Sequence, residues 1–262
     1  MEPHVRSEGI VRATLALAEG ALRMAYLRAL LREATAEDLA PALEILCERS
    51  EQAEPRAREC LVSLVDALAG TEPELRLAVQ RLRALAASGG HLALERVLRL
   101  PASIPPVFTR DLSKERIPDY GKGRPLSLGE RKSLARRPDR DMMARLLLDP
   151  HPEVIRRLLA NPKLTEDDVM RLATKRPCRP DVLAEIARSE RWMHRARIRL
   201  CVVLNPSTPP EIALPLVCLL LRQELKLVAE ATAVPAVTRA LCLEHLERRP
   251  PGDFDDEDVP LQ

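Results

Sequence analysis

One short phrase occurs twice in this chain. Val154-Ile155-Arg156-Arg157-Leu158-Leu159-Ala160-Asn161-Pro162 and Ile198-Arg199-Leu200-Cys201-Val202-Val203-Leu204-Asn205-Pro206 each run an apolar segment into Asn-Pro, 44 residues apart, and Pro138 precedes Pro162 by 24. Proline cannot donate the backbone hydrogen bond of a helix interior and pushes the residue before it out of the α region, so each phrase stops at its Asn. The chain is thereby restricted to brief helices separated by proline-marked turns. Self-similarity at such a period is the signature of a solenoid.

Composition points the same way. Aromatic residues make up 2% of the 262 residues, which excludes a core built on aromatic packing. Leu, Ala, Val and Arg dominate instead, and unbranched side chains and Ala lose little rotamer freedom in a helix. The expectation is an all-α chain.

Residues 1–100 read as five or six helices. Thr35-Ala36-Glu37-Asp38 is a capping start, followed by a stripe of Leu39, Leu43, Leu46 and Cys47. A helix from about Pro55 to Leu68 stops at Gly70, and the next, opened by Pro73, presents Leu75, Leu77, Val79, Leu82 and Leu85 before Gly89-Gly90 closes it. Residues 101–126 form an irregular Pro-rich linker, with Val107-Phe108 packed into an apolar gap and Tyr120-Gly121-Lys122-Gly123-Arg124 exposed. The spacing Gly121-Lys122-Gly123 is not that of a nucleotide-binding loop. Ser127-Leu128-Gly129-Glu130 restarts the helices with a capping box. Helices then follow to about residue 249, and residues 250–262 form an acidic, disordered tail that could compete with an anionic ligand for the basic centre.

Three phrases carry a resemblance. Asp149-Pro150-x-Pro-Glu-Val, Leu-Leu-Ala-Asn161-Pro162-x-Leu-Thr-Glu-Asp-Asp-Val and Leu204-Asn205-Pro206-Ser-Thr-Pro-Pro-Glu-Ile resemble the leucine-rich repeat variant family over about residues 127–249. The resemblance implies units of roughly 24 residues stacked as a right-handed α-solenoid of short helix pairs. Residues 174–197 fit the unit only loosely, and residues 1–100 are more similar to HEAT-like helix pairs. The founding type of the family carries an Fe–S cluster in a cysteine-rich N-terminal region. The six isolated cysteines here, Cys47, Cys60, Cys178, Cys201, Cys218 and Cys242, offer no counterpart, and no cofactor is expected. Some HEAT-like proteins bind DNA on an Arg-lined concave face and excise alkylated bases, but their catalytic constellation finds no match in this chain.

Charge is unevenly placed. The net formal charge is +2, yet residues 110–199 hold 23 Lys and Arg against 14 Asp and Glu. Lys122, Arg124, Lys132, Arg136, Arg137, Arg140, Arg156 and Arg157 form a candidate surface for an anionic partner, with Lys132 and Arg136 on one helical face and Pro138 ending their helix. The alternative is an ordinary solvated face paired with Glu130, Asp139 and Asp141. Tyr120 and Trp192 are candidate partner anchors; Trp192 either stands exposed among arginines or fills the gap where the repeat is irregular, and the second reading is preferred.

Reaction chemistry is not assembled at the sequence level. Cys242 and His245 lie three apart on one helix, which reads as packing plus a surface His rather than a metal site. Glu166, Asp167 and Asp168 open a helix and are explained as caps. The expected function is a non-enzymatic scaffold that binds a protein or peptide on its concave face; the alternative is a nucleic-acid binder using the basic centre. The absence of an uninterrupted apolar run near the N-terminus and of a long apolar span predicts a cytoplasmic protein with no membrane partner. No oligomeric state is assigned.

Overall fold

The computed structural model describes residues 2–70, 72–100, 117–137 and 139–248. Among them sixteen helices and no strands are found. The chain divides into two compact units, one made of residues 1–102 with 213–262 and the other of residues 103–212. The division falls inside the span that the sequence treats as one run of repeats. The packing of Val107-Phe108, the helix-ending role of Pro138 and the acidic tail lie outside the described residues.

The first unit opens with α1 (Pro3–Ala16), α2 (Gly20–Glu33), α3 (Ala36–Glu51), α4 (Pro55–Leu68), α5 (Pro73–Gly89) and α6 (Leu92–Leu98). The Thr35 hydroxyl accepts the Asp38 backbone N–H at 3.3 Å, starting α3 where the capping pattern places it. Leu39, Leu43, Leu46 and Cys47 then turn inward with almost no exposure. On α5 the buried stripe is Leu75, Val79, Leu82 and Ala86. Leu77 stands 49% exposed because it lies off the i, i+4, i+7 line that those residues define. Gly90 ends α5 at φ +75°, a left-handed position that glycine takes without a Cβ clash.

Helix α6 starts without a side-chain cap of its own. Its N-terminus is completed from α3, where the Glu44 carboxylate accepts the N–H groups of Ala93 at 3.0 Å and Leu94 at 2.8 Å. The unit is completed by the end of α14 (Pro210–Val217), by α15 (Arg222–Glu230) and by α16 (Ala236–Arg248). Charges tie these segments together inside the unit. Arg96, 2% exposed, forms a two-pronged bond to Glu51 at 2.8 and 2.7 Å, and Arg99 joins Glu95 and Glu244.

The second unit holds α7 (Leu128–Leu134), α8 (Arg140–Leu146), α9 (Pro152–Leu159), α10 (Glu166–Thr174), α11 (Pro180–Ala187), α12 (Glu190–Met193) and α13 (Ala196–Leu204). The capping box at Ser127 and Glu130 is complete in both directions, and Thr165 with Asp168 builds a second one at α10. Each helix buries one narrow stripe. Examples are Val154, Ile155, Leu158 and Leu159 on α9, and Val182, Leu183 and Ile186 on α11.

What joins one short helix to another is the repeated Asn. Asn161 donates through Nδ2 to the carbonyls of Ala135 and Arg137, both at 2.9 Å, while its Oδ1 accepts the Lys163 N–H at 3.0 Å. Asn205 does the same with Ala173 O at 2.7 Å, Lys175 O at 3.1 Å and the Ser207 N–H at 3.0 Å. The last carbonyls of a helix lack intrahelical partners, and these two side chains supply them for α7 and α10. The Asn-Pro motif is thus both a stop for its own helix and a clamp on another.

Candidate anionic-partner surface

The basic surface of the second unit is built on these clamps. α7 packs against α9, and the clamped ends carry cations on their solvent sides. Lys132 on α7 reaches Glu153 on α9 at 2.7 Å. That bond, together with the positive charge of nearby Arg156, holds the Glu153 carboxyl below its ordinary range. Arg140 at the start of α8 grips Asp168 of α10 at 2.6 and 3.1 Å. Burial works against ionisation of Asp168, but the Arg140 and Thr165 bonds overcome it and bring its pKa down to about 2. Arg124 pairs with Glu130, whose carboxyl is lowered to about 2 by that bond and by the Ser127 backbone and hydroxyl.

Three of the eight cations expected from the sequence therefore face a carboxylate of this chain. The other five, Lys122, Arg136, Arg137, Arg156 and Arg157, are exposed and pair with no carboxylate among the described residues. Arg136 and Arg137 follow the last turn of α7, and Arg156 and Arg157 occupy the last turn of α9. Positive charge at a helix C-terminus is favoured by the macrodipole, so both pairs sit where the fold tolerates them without a partner.

The two aromatic anchors lie elsewhere. Tyr120, expected in the open, is 4% exposed. Its hydroxyl donates to Asp149 Oδ2, and the same carboxylate receives Arg131 Nη1 at 2.7 Å and the His151 N–H at 2.9 Å. Burial first, and the bond to Asp149 second, push the phenol well above its ordinary range. The glycines after Tyr120 adopt positive φ, and Arg145 donates to the Asp119 carbonyl at 2.9 Å, so the chain turns Tyr120 inward. Asp149 stands before a proline, as Asn161 and Asn205 do, but a carboxylate cannot donate. It collects an arginine and a phenol instead of clamping carbonyls.

Trp192 is 3% exposed, and its Nε1 donates to Leu159 O at 2.9 Å. Arg191 lies over its ring at 4.4 Å and donates to Asn161 O at 2.9 Å. In the segment where the repeat is irregular, Arg191 and Trp192 complete the end of α9 as Asn161 completes α7. Neither aromatic side chain is offered to solvent.

Sequence reasoning overlooked Asn161, Asn205, Asp149 and Arg131 as organising residues. The repeated Asn-Pro and Asp-Pro dipeptides were the available signal, but nothing local says which carbonyls they serve. His245, expected at the surface, is wholly buried in the first unit. That unit also has an open groove of about 650 Å³ at the α2–α3 corner and along α5, walled by Leu31, Leu39, Leu82 and Leu85 with Arg32 and Arg81 alongside. Among the described residues, no group of three or more His, Cys, Asp and Glu is placed to hold a metal, and no helix is long and apolar enough to cross a membrane. The six cysteines form no disulfide. No family model, curated protein or solved structure matches the chain.

Proposed function

We propose that this chain is a non-enzymatic helical-repeat scaffold of the cytoplasm, whose second unit is part of a right-handed α-solenoid resembling the leucine-rich repeat variant fold. Its concave face binds an acidic protein or peptide. The supporting observation is the selective pairing of the basic surface. Lys132, Arg140 and Arg124 have carboxylates of their own, whereas Lys122, Arg136, Arg137, Arg156 and Arg157 are exposed without one among the described residues. Arginine is enriched at protein interfaces because its fork can take a carboxylate with two parallel bonds.

A nucleic-acid partner is the second reading, favoured by the two adjacent arginine pairs. With Tyr120 and Trp192 inside, stacking on these aromatics is not available, and binding would rest on phosphate contacts. Fluorescence anisotropy with a labelled Glu-rich peptide and with single- and double-stranded DNA and RNA, across a salt series, separates the readings. Binding of the peptide that is lost in Arg136→Glu/Arg156→Glu supports the scaffold. Tighter binding of duplex, with a logarithmic salt slope of about 0.9 per neutralised phosphate, replaces it with the second reading. No binding by either class at low salt removes the basic surface from both.

A further inference from the structure

We infer that Cys218 is a nucleophilic thiol, oxidisable by peroxide, that His245 and Glu51 activate within the first unit. Cys218 Sγ lies 3.4 Å from His245 Nε2. On the other side of the ring, His245 Nδ1 lies 3.6 Å from Glu51 Oε1. That separation is beyond a hydrogen bond, yet a carboxylate so close favours the tautomer with its proton on Nδ1. Nε2 is then left as an acceptor aimed at the sulfur. Glu51 is itself fixed by Arg96, so the carboxylate that orients the ring cannot swing away. A thiol, a base and a group that orients the base thus follow one another at close range, which is the arrangement that activates a weak nucleophile.

The other thiols provide the contrast. Burial pushes Cys47 well above the ordinary thiol range and raises Cys60 to about 11, and it also raises half-exposed Cys201. Cys178 faces the carbonyl of Leu172 at 3.9 Å, and Cys218 likewise faces that of Leu214 at 3.8 Å, but Cys218 has in addition the imidazole nitrogen at 3.4 Å to take its proton. Cys218 is nearly as buried as Cys47 and Cys60, at 2% exposure, but it sits in the turn after α14 whereas those two lie inside α3 and α4. Arg58 holds that turn through the carbonyls of Leu219 and Leu220, both at 3.4 Å, the long end of hydrogen-bond geometry. With Cys218 at 2% exposure, hydrogen peroxide reaches the sulfur only when this turn opens, so oxidation requires that opening.

The reaction balances without a further reagent. The sulfur attacks one peroxide oxygen, forming the S–O bond as the O–O bond breaks. The thiol proton passes to Nε2 and is returned to the departing hydroxide, which leaves as water. Sulfur is oxidised to a sulfenic acid, and the peroxide is reduced.

The test uses the full chain under native conditions. After timed exposure to hydrogen peroxide, catalase quenches the reaction, N-ethylmaleimide in denaturant labels the surviving thiols, and peptide mass spectrometry reads the loss of label at each cysteine. Cys218 is expected to lose its label about tenfold faster than Cys47, Cys60, Cys178 and Cys242, with Cys201 as the exposure control. His245→Asn keeps a donor near Glu51 and removes the acceptor facing the sulfur, and it should bring Cys218 down to the rate of the other buried thiols. Should that variant fail to fold by circular dichroism, Glu51→Gln serves in its place, with the same drop expected. A Cys218 rate no higher than those of Cys47 and Cys60 overturns the inference. So does a high rate that survives the substitution, because opening of the turn alone would then account for it.

Discussion

The two units differ in helix length and in where most of their charges point. In the first, α1 to α5 are 14 to 17 residues long, and a network of Arg96, Arg99, Glu51, Glu95 and Glu244 joins α3, α6 and α16. In the second, α7 and α8 have 7 residues each, and most of the cations face outward. Each helix leaves four N–H and four C=O groups without internal partners, so in a seven-residue helix nearly every peptide group belongs to an end. Short helices therefore depend on side chains from neighbouring segments, and the clamps of Asn161 and Asn205 meet that need. Long helices satisfy their own backbone, which leaves buried polar side chains free to link distant segments. The lesson is that a seven- to nine-residue helix is finished by side chains of other segments, by Asn161 and Asn205 for α7 and α10 in the second unit and by Glu44 for α6 in the first.

Trp192, the single tryptophan, belongs to the second unit, so its emission follows that unit while hydrogen exchange of α3 and α4 follows the first. Asn205→Asp should have the largest effect. It turns two donated bonds into a buried carboxylate facing two carbonyl oxygens, and a loss of about 3–5 kcal/mol is expected from an uncompensated buried charge. The Trp192 transition in urea should move to lower concentration with α3 and α4 protection unchanged; a joint loss would break the comparison between independent strategies. Tyr120→Phe should cost about 1–2 kcal/mol on the same probe, since Asp149 keeps Arg131 and the His151 N–H but loses the phenol.

Acid should weaken the second unit through Asp168, whose folded pKa of about 2 lies below its ordinary 3.8. A lowered carboxyl contributes stability that is complete above its unfolded pKa and disappears as pH falls through the folded one, so the loss is expected between about pH 4 and pH 2. Arg140 is 57% exposed and screened by water, which keeps this contribution small. In urea titrations the gap between wild type and Asp168→Asn should narrow from pH 7 to pH 3 and close only towards pH 2. The smallest effect is expected in the first unit. Ala53 follows α3 at φ +62°, where Ala is strained, and Ala53→Gly should gain about 0.5 kcal/mol after the entropy that glycine adds to the unfolded chain. Hydrogen exchange of α3 should report it while Trp192 does not.

Much of the local structure was legible. The start of α3 at Thr35, the capping box at Ser127, the prolines opening α4, α5, α9 and α11, and the inward residues of α9 and α10 follow from rules that operate within one or two turns. Leu77 shows the limit of that reading, because hydropathy alone does not fix where a helix turns its stripe. The basic surface was legible as a list of residues but not as a pattern of pairing. Glu153 and Asp168, which engage Lys132 and Arg140, lie 21 and 28 residues away, beyond any helical spacing.

The sequence by itself determined that this chain is helical and where many of its helices start and stop, because caps, prolines and apolar periodicity are local chemistry. Tertiary structure alone decided what the polar residues do. Tyr120 went inward because Asp149 and Arg131 converge on its hydroxyl, Trp192 became a cap because Leu159 O had no helical partner, and His245 was buried between a thiol and a carboxylate from other segments. A buried donor or acceptor must find a partner somewhere, and only the folded chain decides which distant group is within reach.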